Sequence, residues 1–152
     1  MKTQCAMAFA AALGLLTGCG DSHDHGAGGH DSQKHGGEGG AVTVPADYAG
    51  AVAKCEELSN QIGSLITAGK LGDVHTAAAD IKKIAEKLPE LAQKGLPADV
   101  LKDVNIKSKD LAGTFSEIDE AADAGKKEET IRVQERMKAL IADLQKHAKG
   151  GH

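Results

Sequence analysis

The sequence predicts an all-α fold, an antiparallel up-down-up-down four-helix bundle carried behind a disordered tether. Three observations point there. From residue 46 to 149, apolar residues recur at alternating steps of three and four, and nothing reads as a strand. Glycine or proline interrupts that pattern at three places and divides it into four segments. Each segment carries one narrow apolar stripe between charged flanks such as Lys82-Lys83 and Glu128-Glu129. Such a stripe is buried only when helices pack seam to seam.

The first helix is expected over about 47–69, with Ala51, Cys55, Leu58, Ile62 and Leu65 on its seam. The second begins at Asp73, a good N-cap type, and reaches about Lys94 through Val74, Ala77, Ile81, Ile84, Leu88 and Leu91. Gly95 is placed to end it, and Pro97 to open the third. That helix runs to about Ala124 on Leu101, Val104, Ser108, Leu111, Phe115, Ile118 and Ala122, and Gly125 closes it. The fourth, about 126–149, shows Val133, Met137, Leu140, Leu144 and His147. Links of two to four residues make successive helices antiparallel neighbours. Pro89 allows two readings: a kink where its ring opposes the Ala85 carbonyl, or a second helix that stops at Leu88.

Ahead of the bundle, residues 20–45 hold 8 of the 19 glycines and almost no large apolar side chain. Such a stretch buries too little surface to order itself, and as a flexible chain its reach is about 25–30 Å. Four histidines, His23, His25, His30 and His35, are interleaved there with Asp21, Asp24 and Asp31. Neutral imidazole is the commonest transition-metal ligand, and short histidine-rich tracts suit capture of a divalent transition metal. The spacing matches no fixed structural zinc pattern, so a plain soluble spacer is the competing reading.

The first eighteen residues read as an export signal. Lys2 precedes an apolar run, Ala6 to Leu16, too short to cross a bilayer, which takes about 20 apolar residues. Directly after it stands Leu16-Thr17-Gly18-Cys19, which resembles the lipobox of bacterial lipoprotein precursors. That resemblance implies cleavage before Cys19, acyl chains such as palmitate on Cys19, and attachment to a membrane outside the cytoplasm. Gly20, where an aspartate would retain such proteins at the inner membrane, implies the outer membrane facing the periplasm. The expected organisation is therefore a signal over 1–18, a lipidated cysteine and tether over 19–45, and the bundle over 46–152.

Removing residues 1–18 from the 152 leaves 134, the size of one domain. A net charge of −4 and a pI near 5.9 exclude the basic surface that nucleic-acid binding uses. Aromatics at 2%, with no Trp, leave little material for stacking platforms for bases or sugars. Cys5 leaves with the signal and Cys19 takes lipid, so Cys55 has no partner for an internal disulfide. It is then buried, ligating, or paired between chains. No phosphate loop, nucleophile elbow or H-E-x-x-H is present. Ser108 on the third seam is expected to bond back to its own helix.

Cys55 and His147 occupy seam positions where apolar residues are expected, and the topology brings both toward one end of the bundle. Their axial stagger of about seven residues is roughly 10 Å, too far for one bare ion but within the span of a planar cofactor. His75, near the other end, reads as a surface residue, and His152 as a chain terminus. Residues 46–149, with the Cys55-Glu56-Glu57-Leu58 stretch, Gly125-Lys126 and His147, resemble the b-type four-helix-bundle cytochromes and their cytochrome c-prime relatives. That family holds haem through an axial methionine and histidine, so the resemblance implies non-covalent haem on Cys55 and His147. The C-x-x-C-H of covalent attachment is absent: Asp143-Leu144-Gln145-Lys146-His147 stands there.

Three functions follow as expectations. One is a lipid-anchored bundle with no catalytic activity that meets a protein partner. Another is a haem-binding electron carrier with a redox partner. The third is metal binding by the histidine tether.

Overall fold

The computed structural model describes residues 42–149. Four helices make up the fold: α1 (Tyr48–Thr67), α2 (Val74–Gly95), α3 (Ala98–Asp123) and α4 (Lys127–Lys149), with a single 3-10 turn at Leu71–Asp73 before α2. None of them is long and apolar enough to cross a membrane. Each packs against the two beside it, closing a ring of α1, α2, α3 and α4. Hydrogen-bonded pairs run in opposite directions along the seams. On α3 and α4, Asp103 meets His147, Lys107 meets Asp143 and Glu117 meets Arg136. On α1 and α4, Tyr48 meets Leu144 and Ser59 meets Gln134. His75 near the start of α2 reaches Asp119 near the end of α3. These are the pairings of antiparallel neighbours.

Local chemistry sets the boundaries. Asp47 caps α1, its Oδ1 accepting from the Gly50 N–H at 2.8 Å. Gly69 and Gly125, at φ +73° and +67°, end α1 and α3. In both, the glycine N–H reaches back three residues and the next N–H five, so two orphan carbonyls are satisfied as the chain turns. Asp73 departs from expectation because its side chain makes no capping bond. The 3-10 turn from Leu71 already leads into α2 with helical backbone, so the chain has no extended residue there to cap. Pro97 precedes α3 as its cap, one position earlier than expected.

Helix α2 continues through Pro89, so the reading that ends it at Leu88 is wrong. The missing N–H costs about 3 kcal/mol in a helix interior. Leu88, Leu91 and Ala92, buried on both sides of the proline, offset that loss by holding both turns against the core.

The buried stripes are wider than the sequence seams. Val52, Ser59 and Ile66 join α1; Ala78, Ala85 and Ala92 join α2; Gln134 and Ile141 join α4. Leu65, Leu101, Phe115 and Leu140 are only partly buried, at the edge of the core. The physical reason is the ring: each helix touches two neighbours, so residues beside a seam position are covered as well. Small residues fit where backbones approach. A Cβ on Gly63 would stand 3.3 Å from the Gln134 amide nitrogen, which donates to the Ser59 carbonyl at 3.2 Å.

Ser108 does not bond back to its helix as the sequence reading expected. Its Oγ is buried and unpartnered, as is that of Ser59. Thr114, by contrast, donates to the Leu111 carbonyl at 2.6 Å. An unpartnered buried hydroxyl carries its desolvation cost with no return. Ser108→Ala is therefore expected to raise stability by up to about 1 kcal/mol in a urea melt. A loss above about 1 kcal/mol would reveal a partner for that hydroxyl.

Candidate functional site

The chemistry-bearing side chains gather at the end where the chain enters the bundle. Val42 and Val44 pack against the core, and residues 46–49 share a surface cleft with Leu91, Leu96 and Ala148. The tether's exit, the α2–α3 turn and the last turn of α4 thus lie together. Tyr48, the aromatic residue of this core, bridges them: its ring is buried and its hydroxyl donates to the Leu144 carbonyl at 3.1 Å. Burial, with the Asp103 carboxylate and Cys55 also contributing, pushes the phenol well above its usual ionisation range.

Cys55 lies one layer deeper, fully buried and free. Burial raises its thiol to about 12. At neutral pH about one molecule in 10⁵ then carries a thiolate, so this side chain acts as a small hydrophobe and not as an anionic ligand.

His147 faces another way. Its side chain is 21% exposed, and Nε2 stands 2.7 Å from Asp103 Oδ2 on α3. Lys107 links the two acidic positions nearby, 3.0 Å from Asp143 and 3.7 Å from Asp103, and Lys146 reaches Asp143 at 2.6 Å. The hydrogen bonds from Lys146 and then Lys107 hold the Asp143 carboxyl at about 2. These pairs are open to solvent, which screens them, so they contribute little to stability.

The structure does not bring Cys55 and His147 to a common pocket. The α1–α4 pairings put Cys55 level with about position 138, roughly nine residues or 14 Å from His147 along the axis. Leu88, Leu91 and Val104 are buried in the core, and Leu101 is partly covered at its edge. Five surface clefts along the bundle are lined by neither Cys55 nor His147. Haem does not fit between these two residues in this packing: one is a neutral thiol sealed in the core, the other a surface imidazole held by a carboxylate. Added haem is accordingly expected to produce no Soret band that depends on His147. A band lost in His147→Ala would show that the interior opens to admit the group.

The buried thiol has a consequence of its own. Its folded-state value lies above the ordinary 9.0, so the unfolded chain releases this proton first as pH rises. Stability from this residue is complete below about pH 9 and is lost progressively toward pH 12, at up to about 1.4 kcal/mol per pH unit. Tyr48 adds loss in the same direction at still higher pH. Denaturant melts at pH 8 and 10.5 are expected to differ more for the native sequence than for Cys55→Ala. Equal differences would mean that the thiol reaches water in the folded state.

His75, expected at the surface, is there. Its Nδ1 stands 2.6 Å from Asp119 Oδ1, and its ring packs edge-on to Phe115 with centroids 5.5 Å apart. Lys82 Nζ lies 5.1 Å from the centre of the same Phe115 ring. Among the described residues no group of three or more His, Cys, Asp or Glu side chains is arranged to hold a metal ion. The lipidation residue Cys19, the tether histidines His23, His25, His30 and His35, and His152 lie outside the described residues. The acidic partners of His75 and His147 were not foreseen. The only available signal was that each aspartate lies 44 positions from its histidine, on the neighbouring antiparallel helix.

No family model, curated protein or solved structure matches this chain.

Proposed function

We propose that this protein is an exported lipoprotein, anchored through acyl chains on Cys19, whose closed bundle serves as a non-catalytic module facing the periplasm. The observation that carries this reading is Leu16-Thr17-Gly18-Cys19 directly behind the Lys2-led apolar run. Two or more acyl chains, at about 0.8 kcal/mol per buried methylene, hold a protein to a bilayer firmly. Among the described residues the cysteine is buried with its thiol pushed up to about 12, and Glu57, Asp80 and Glu90 pair with lysines at helix spacing.

A second role rests on the tether. His23, His25, His30 and His35, interleaved with three aspartates, form a run of donors suited to a divalent transition ion. Fractionation of cells making the full chain tests the anchor. The protein is expected with the membranes, released by detergent and retained through high salt and alkaline carbonate. Release by salt alone would overturn the reading.

A further inference from the structure

We infer that the groove between α1 and α4, in the half of the bundle away from the chain's entry, docks an acidic peptide segment of a partner protein, with carboxylates of that segment on Lys127 and Lys138.

One wall of the groove carries no charge. From Leu58 to Gly69, α1 and its closing turn have no ionisable side chain. The other wall is the first half of α4, and between them lies a cleft of about 920 Å³. Buried Ile66 and half-buried Ile131 give it an apolar floor, and Asn60 and Gln134 supply amides. Its charged residues are Lys127 and Lys138, and no carboxylate lines it. Other cations of this region are already matched: Lys126 and Arg132 with Glu129, Arg136 with Glu117, and Lys146 with Asp143. Lys127 and Lys138 make no ion pair among the described residues. Glu56, on a smaller cleft that Lys138 also lines, accepts from Gln145 at 2.6 Å instead. On that same cleft Ser59 has a buried hydroxyl without a partner. An acidic protein thus holds two unmatched cations over a neutral, amide-bearing seam.

The spacing of those cations selects the ligand. They stand eleven positions apart on α4, about 16 Å along its axis. A small anion cannot touch both. An extended chain, at about 3.3 Å per residue, does so with acidic residues about five positions apart. A broad anionic surface, such as a bilayer or a nucleic acid, would also meet the acidic faces of a chain of net charge −4 and be repelled there. A peptide meets only the groove.

Selection of random dodecapeptides displayed on phage against the full chain in detergent tests this, with affinities of the enriched peptides read by fluorescence anisotropy. Enriched sequences are expected to carry Asp or Glu about five positions apart. Lys127→Gln and Lys138→Gln should each weaken a selected peptide about two- to fivefold, and together by up to about twentyfold, the range of exposed ion pairs. Added salt should weaken it further. Lys102→Gln and Lys109→Gln, at exposed positions on α3, should leave it unchanged. Ser64→Trp, at an exposed position on the uncharged wall, should block binding without altering charge. No enrichment, enrichment without acidic residues, or binding indifferent to Lys127, Lys138 and Ser64 would overturn the proposal. Displacement of a selected peptide by free glutamate or glycerol phosphate would overturn it in favour of a small anion or a lipid headgroup. A dimer of the chain that the doubly substituted variant disperses would give the groove to a second copy and overturn it as well.

Discussion

Leu111→Ala is expected to cost about 2–5 kcal/mol, the range for truncating a buried leucine, and so a large share of a small domain's 5–15 kcal/mol. The residue is 1% exposed at the middle of α3. One turn before it stands Ser108 and about one turn after it Thr114, both buried and both short. Leu111 is therefore the large apolar side chain of that stretch of the seam, and its neighbours cannot extend to fill the space it leaves. The partly exposed Phe115 is held against His75 and Lys82 and is poorly placed to swing inward. The upper half of the range is the better expectation. Urea denaturation followed by circular dichroism measures it, and a loss below about 0.5 kcal/mol would mean that the core collapses around the gap.

Cys19→Ala is expected to move the protein from the membrane fraction to the soluble fraction of the periplasm or to leave it as uncleaved precursor. On the proposed anchoring, acyl chains on that one sulfur and its amino group hold the protein to the bilayer. No described helix is long and apolar enough to replace them. A single residue thus decides location while leaving the bundle's core untouched. Fractionation with detection of the precursor and mature forms checks this. Mature Cys19→Ala protein that stays with membranes as fully as the native sequence would contradict it.

Much of the bundle was legible because helices advertise themselves by period. Val74, Ala77, Ile81, Ile84, Leu88 and Leu91 were read as the α2 seam, and all six are buried. The glycines at 69 and 125 end helices as left-handed residues, which their lack of a side chain permits. What periodicity could not show was the width of the buried face. Gln134 looks like a surface residue in sequence, yet it is covered because Gly63 lets α1 approach and the Ser59 carbonyl accepts its amide.

The tether end was harder to read for the same reason. Heptad position identifies His147 as facing inward, but a polar ring at the edge of a seam turns toward the nearest carboxylate. Asp103 belongs to a helix 44 residues away in sequence. Tyr48 precedes the first seam residue, Ala51, by one turn, so the seam pattern does not reveal that its ring is buried. Cys55 was correctly set on the seam, and burial then determines its chemistry: a thiol that deep holds its proton.

The most direct test of the proposed anchor is intact mass spectrometry of the protein extracted from membranes of a bacterium that processes lipoproteins. The expected species begins at Cys19, lacks residues 1–18, and carries the added mass of acyl chains on that residue. A mature protein whose first residue is not Cys19, or whose Cys19 carries no lipid, would contradict the account.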